Sequence, residues 1–203
     1  MAQSIVQAEQ IKERLSTIGG LRVIKQDIKH QILIPLQYPH IFFTGNKNLA
    51  PPRGILFHGP PGTGKTMLAR AIAAEANVPF LSIGLSSLEN KYFGETSKLL
   101  SATFSLAKKM QPCIIFMDEI DGLLRNRTEQ DSSCVYGLKT EMLNQIDGLQ
   151  SKAQDSIIII ACTNTPQFLD SAIRRRLPTQ IEVGLPTAEE CVDILLMHLA
   201  EAD

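Results

Sequence analysis

The sequence predicts a three-layer α/β domain built on a parallel sheet. Short runs at 54–58, 80–83, 113–117 and 157–163 are apolar almost throughout, and they alternate with segments of helical periodicity. Strands that are apolar on both faces belong to parallel sheets covered by helices on each side. The chain has 203 residues, 44% of them apolar and 20% charged. That is enough for one domain with a buried sheet and unlike a disordered composition.

At the start, Ile5, Ala8, Ile11 and Leu15 fall at loose helical spacing, and Thr17-Ile18-Gly19-Gly20 breaks the pattern. A second helix is expected over 21–34, stopped by Pro35, whose ring and missing N–H oppose continuation. Residues 44–53 are rich in Gly, Asn and Pro and predict a loop. Residues 1–50 are therefore expected as N-terminal helices and linker, and 51–203 as the α/β core. The strand at 54–58 leads into a helix at 65–76 with Leu68, Ala71 and Ile72 on one face. After the strand at 80–83, a helix at 96–110 aligns Leu100, Phe104 and Ala107. The strand at 113–117 is followed by a helix at 135–146, with Leu138, Met142 and Ile146 in register, expected to end at Asp147-Gly148. Then come the strand at 157–163, a short one at 180–183, and a helix at 187–199 opened by a Thr187/Glu190 capping box.

Charge narrows the function classes. Lys+Arg number 20 and Asp+Glu 21, a net charge of −1, so composition gives no case for nucleic acid or an anionic membrane surface. The longest apolar run, 157–162, falls far short of the roughly 20 residues a membrane-spanning helix needs, and no transmembrane segment is expected. Residues 1–14 include Glu9 and Glu13 and no apolar stretch, unlike a signal or transit peptide. Cys113, Cys134, Cys162 and Cys191 are far apart, without a CxxC pair, so no structural zinc is expected. They are expected as buried, reduced thiols of a protein facing the cytosol, two of them on apolar strands. His30, His40, His58 and His198 lack metal spacing, and His58 is expected as a packed residue. Nothing points to a Ser or Cys nucleophile.

Gly59-Pro60-Pro61-Gly62-Thr63-Gly64-Lys65-Thr66 fits GxxxxGK[ST], the phosphate-binding loop. Chance produces this pattern in about one chain in a hundred of this length, and here the strand before it and the helix after it supply the required context. Glycines let backbone N–H groups face a phosphate chain without an intervening Cβ, and the helix start adds its positive end. Lys65 is expected on the β- and γ-phosphates of ATP and Thr66 on Mg²⁺. The strand at 113–117 ends in Asp118-Glu119, one strand and one helix further along. Ligands of α/β sheets bind at the carboxyl ends of strands. Asp118 suits the acid linked to Mg²⁺, and Glu119 the group that activates the attacking water. Asp121 is expected as a solvated acid at a helix start.

These motifs, with Thr163-Asn164 after an apolar strand and Leu169-Asp170-Ser171-Ala172-Ile173 before Arg174-Arg175-Arg176, resemble the AAA+ ATPases from residue 18 to about residue 199. The chain looks most like the group containing katanin, spastin and the outer mitochondrial membrane translocase that extracts mislocalised tail-anchored proteins. Residues 105–121 with Leu124-Arg125-Asn126-Arg127, and 169–178 with Leu177-Pro178, are nearest the translocase type.

The resemblance implies the large subdomain of an AAA+ P-loop ATPase. It implies hydrolysis of ATP to ADP and phosphate with Mg²⁺, a homo-hexameric ring, and a polypeptide client such as a tail-anchored membrane protein. The implied location is the cytosolic face of the mitochondrial or peroxisomal outer membrane. Asn164 falls at the sensor position near the γ-phosphate; the alternative is an Asn turn before Pro166. Arg175 and Arg176 match the arginine fingers that reach a neighbouring subunit's nucleotide, with Arg174 as extra surface charge. Ile18 and Gly19 are implied in adenine binding through backbone groups, and Met67 joins the nucleotide set. Lys91-Tyr92-Phe93-Gly94-Glu95 matches a pore loop whose aromatics grip a threaded chain; the alternative is a pair of core aromatics. Three departures stand out. Thr17 replaces a common Asp, and Ser132-Ser133 replaces a His-Glu pair in the second pore loop, at 127–133. The chain also stops at Asp203, before the helical lid and without the translocase's membrane anchor. A microtubule-severing relative, and a lid-less nucleotide-binding module without turnover, remain as other readings; a simple P-loop kinase fits poorly.

Overall fold

The computed structural model describes residues 5–44, 49–84, 93–122, 133–150 and 155–200. These form a sheet of β1 (Ile5–Val6), β2 (Gly54–His58), β3 (Phe80–Gly84), β4 (Cys113–Asp118), β5 (Ile157–Thr163) and β6 (Thr179–Glu182). The spatial order is β1-β3-β4-β5-β2-β6. All neighbours are parallel except β1, which pairs antiparallel with β3. The helices are α1 (Arg22–Ile28), α2 (Ile34–Gln37), α3 (Pro39–Phe42), α4 (Lys65–Ala76), α5 (Phe93–Lys109), α6 (Ser133–Gln150), α7 (Ser171–Arg176) and α8 (Ala188–Ala200).

Strand alternation sorts the core into two buried layers. Ile158, Ile160 and Cys162 of β5 face one side, with Ile55, Phe57, Leu68 and Ile72. Ile157, Ile159 and Ala161 face the other, with Phe104 of α5 and Met142 and Ile146 of α6. Each fully buried side chain of this size removes about 1.5–3 kcal/mol of apolar exposure. The first layer also takes Ile11, Ile18, Ile28, Ile32, Leu36 and Phe43, so residues before 50 complete the core over α4.

Three local expectations are corrected. Ile5–Val6 is strand, not helix: two β-branched residues find a partner in β3, with Ile5 opposite Leu81. Ala8 and Ile11 are still buried, through a 3₁₀ turn at Ala8–Gln10. Pro35 does not stop the helix. A π-helical turn at Lys29–Leu33 shifts the hydrogen-bond register, so Pro35 falls in the first turn of α2, where its missing donor costs nothing. Asp147-Gly148 does not end α6, which runs to Gln150. Burial of Leu149 and the ion pair of Asp147 with Arg176 outweigh the roughly 1 kcal/mol a mid-helix glycine costs. The Thr187/Glu190 box does form, with reciprocal bonds of 2.9 and 3.3 Å at the start of α8.

Candidate active site

The phosphate loop bridges β2 and α4. Gly59 has φ +147°, and a Cβ there would lie 2.1 Å from the carbonyl oxygen of Val183. Gly62 and Gly64 have φ +79° and +86°, the left-handed region that side chains avoid. Lys65 is 7% exposed and folds its ammonium back onto the carbonyls of Gly59 (2.9 Å) and Pro60 (2.6 Å). Burial pushes its pKa down, and Cys162, Asp118 and Asp121 partly offset this. The Thr63 hydroxyl donates to the Pro60 carbonyl at 3.0 Å.

The register places the ends of β2, β4 and β5 side by side, with His58 opposite Thr163 and Met117 opposite Ala161. The Thr66 hydroxyl therefore reaches β4 and donates to Asp118 Oδ2 at 2.9 Å. Asp118 Oδ1 accepts the Glu119 N–H at 3.0 Å. Glu119 sits at φ +50° and is exposed. The turn puts its side chain into solvent at the strand end while Ile120 N–H donates to the Cys162 carbonyl at 3.1 Å.

Asp121 departs from expectation. It is buried at 9% exposure and accepts the Thr165 hydroxyl at 2.9 Å, while Thr165 N–H donates to Thr163 Oγ1 at 3.1 Å. The turn after β4 and the turn after β5 are thus tied together, on either side of half-buried Asn164. An acid two residues past an exposed Glu gives no sequence signal of this, because its partner lies in the turn after another strand.

A cleft of about 220 Å³ opens beside the loop, between residues 17–21, Gly62–Gly64 with Met67, and α8. Ile18 is buried at its rim and Gly19 presses on α8; a Cβ on Gly19 would lie 2.4 Å from Ile194 Cγ1. Glu190 Oε1 accepts the Leu21 N–H at 2.7 Å, and Arg22 pairs with Asp193 at 2.8 Å. Backbone donors at Thr187 and Leu21 hold the Glu190 carboxyl below the usual range. Ile194, Met197 and His198 of α8 line this cleft. Sequence reasoning missed them; the tandem Gly19-Gly20 was the available sign that something packs close.

The C-terminal end of α7 stands apart from this site. The carbonyl oxygen of Arg176 would lie 2.1 Å from a Cβ on Gly54, so α7 ends beside the start of β2. At about 3.3 Å per residue, that is roughly 16 Å along β2 from the phosphate loop. Arg174 and Arg175 are exposed, and Arg176 is half-buried against Asp147. Lys91 and Tyr92 lie outside the described residues, as does most of the second pore-loop segment, while Phe93 and Gly94 open α5. Cys113 and Cys162 are buried as expected; burial pushes the Cys113 thiol up to about 12 and the Cys162 thiol higher. Cys191 is exposed, against expectation, because its side of α8 faces outward. Cys134 is a residue whose side chain is not described.

Residues 55–185 match the family model described as "ATPase family associated with various cellular activities (AAA)". The chain belongs to the AAA ATPase family. The outer mitochondrial transmembrane helix translocase of Danio rerio is 40% identical over 200 residues, covering 98% of this chain and 52% of that protein. The Homo sapiens protein of the same name is 41% identical over 184 residues, covering 91% and 51%. Spastin of Gallus gallus is 45% identical over 186 residues, covering 92% and 30%. A crystal structure of the FIGL-1 AAA domain in complex with ADP superposes with TM-score 0.82 at 35% identity, covering 98% and 63%. The chain spans about half the length of the translocase relatives.

The site of this AAA domain fits a nucleoside triphosphate with Mg²⁺. The cradle is shaped by Gly59, whose Cβ would strike the Val183 carbonyl, and by Gly62 and Gly64 at positive φ, and Thr66 with Asp118 offers hard oxygen donors at one point. Gly59→Ala is expected to abolish nucleotide binding, because its Cβ collides with backbone that has nowhere to move; titration with a fluorescent ATP analogue checks this. Asp121→Asn and Thr165→Val are expected to lower turnover roughly tenfold or more by loosening the two turns. Nucleotide affinity should stay unchanged, and a steady-state separation of kcat from KM measures both.

Proposed function

We propose that this chain is the ATP-hydrolysing core of a ring motor that pulls on polypeptides. Supporting it is the convergence of Lys65, Thr66, Asp118, Glu119 and Asn164 at the ends of three adjacent strands, with the C-terminal end of α7, at the Arg176 carbonyl, beside the opposite end of β2. In this reading Arg175 and Arg176, at the end of α7, complete the site of another copy of the chain.

In this reading the ATP phosphates enter the cradle and Lys65 leaves the Gly59 and Pro60 carbonyls for the β- and γ-oxygens. Thr66 and Asp118 hold Mg²⁺, which when bound neutralises charge on those oxygens. Glu119 takes a proton from water, whose oxygen attacks the γ-phosphorus. The bond to the β-bridging oxygen breaks, giving ADP and phosphate. Asn164 orients the water or the γ-phosphate. An arginine from the neighbour offsets the charge developing in the transition state, an effect of about 10³–10⁵ in related enzymes. The base rests in the cleft by Ile18 and Gly19, walled by α8. The Glu190–Leu21 and Arg22–Asp193 contacts make that wall move with residues 18–22. Lys91, Tyr92, Phe93 and Gly94 face the client in a six-membered ring.

The translocase relatives are named for moving transmembrane helices in the outer mitochondrial membrane, and we assign the same client class and location here. Among the described residues no helix is long and apolar enough to cross a membrane. The similarity to spastin supports a second reading, a microtubule-directed motor. The test is turnover with liposomes carrying a single-span tail-anchored protein, set beside turnover with microtubules. Stimulation and extraction by the first support the translocase reading; stimulation by microtubules alone replaces it with the second.

A further inference from the structure

Residues 18–21 wall the cleft beside the phosphate loop, and their backbone takes an uncommon shape. Gly20 and Leu21 are both left-handed, at φ +63° and +54°. Glycine tolerates this; a leucine does so only where its surroundings fix it. Leu21 is fixed on both sides. Its carbonyl accepts the Lys25 N–H at 2.8 Å, and its N–H donates to Glu190 Oε1 at 2.7 Å. At the other end of the segment the Lys25 ammonium donates to the Ile18 carbonyl.

Glu190 divides its carboxylate between two tasks. Oε2 accepts the Thr187 N–H at 2.9 Å and the Thr187 hydroxyl at 3.1 Å, and so caps α8. Capping needs that one oxygen. Oε1 leaves the helix for Leu21, 169 positions away in sequence, in a bond strengthened by the carboxylate charge. The neighbouring Arg22–Asp193 pair is a weaker tie, because the Arg22 side chain is 80% exposed and ion pairs open to solvent hold little. One turn beyond Glu190, Ile194 meets Gly19 at a spacing that leaves no room for a Cβ. Met197 and His198 continue the same wall of the cleft. The gap between residues 18–21 and α8 is therefore set where Glu190 grips Leu21.

We propose that Glu190 is a positioning residue for the nucleotide base. Acting through Leu21, it fixes the width of the cleft between residues 18–21 and α8, and so how much the base adds to nucleotide affinity. The presence of a base in this cleft rests on the reading above; the tie rests on contacts within this chain.

Calorimetric titration of the full chain with ADP, and with inorganic tripolyphosphate, which has no base, tests this. Glu190→Ala should weaken ADP binding roughly tenfold through loss of a charge-assisted bond. Tripolyphosphate should change less than about twofold, because the phosphate cradle is a separate part of the site. Glu190→Gln keeps a capping-box residue and one acceptor oxygen, and should fall between. Thr187→Ala takes the hydroxyl from the cap and Arg22→Ala removes the exposed pair; each should change ADP affinity less than about twofold. Wild-type ADP affinity in Glu190→Ala, or equal weakening of ADP and tripolyphosphate, overturns the proposal. A Thr187→Ala loss as large as that of Glu190→Ala also overturns it, by tracing the effect to the cap. A wild-type chain that binds ADP no more tightly than tripolyphosphate contradicts the base-cleft reading instead. Amide hydrogen exchange needs no ligand: the Leu21 N–H should exchange slowly in the wild type and about tenfold faster or more in Glu190→Ala. Equal exchange in the two proteins overturns the proposal as well.

Discussion

Glu119→Gln binds ATP with wild-type affinity and turns it over about 10²–10⁴ times more slowly. The expectation follows from where Glu119 sits. Its backbone, at φ +50°, throws an exposed carboxylate past the end of β4, next to the Thr66–Asp118 pair but not part of it. The amide keeps the shape and removes only the proton acceptor. The cradle, Lys65 and the Mg²⁺ donors are untouched, so binding survives. Pre-steady-state phosphate release beside an ATP-analogue titration separates the two effects. Loss of affinity together with turnover would instead make Glu119 a binding residue.

Lys65→Ala has the opposite profile, with loss of binding first. Lys65 is buried, and its ammonium bonds two loop carbonyls, which the proposed reading has it exchange for phosphate oxygens. Charge-assisted bonds contribute about 1.5–3 kcal/mol each, so losing one or two weakens ATP binding by roughly 10²-fold or more. The fold should hold, because the Lys65 charge is itself disfavoured by burial. Calorimetric titration and thermal unfolding measure the two effects independently. Tight ATP binding by the variant would remove Lys65 from the phosphates.

Much of this was legible in the chain. β2 and β5 have the bounds their apolar runs predicted, because a strand buried on both faces has no polar residue to obscure it. The phosphate loop is legible because Gly59, Gly62 and Gly64 lie close together in one short stretch of sequence, with the helix start of α4 at Lys65. What stayed hidden depends on partners distant in sequence. Glu190 reads as a cap for α8, which it is, yet the same carboxylate also holds Leu21. Asp121 reads as solvated until Thr165 arrives from the turn after β5. Asp147 reads as a helix stop, whereas in the structure it stays within α6 and pairs with Arg176 of α7. β1 was misjudged because two residues are too short for any period, and only the edge of β3 makes them a strand.

The central claim of the proposed function is one of assembly: the arginines at the end of α7 complete sites in other copies of the chain. ATP turnover per chain, measured across protein concentration, tests this most directly. Specific activity should rise steeply with concentration and level off as rings fill, with Arg175→Ala staying flat and low throughout. Specific activity independent of concentration, in a chain that still binds ATP, would contradict it.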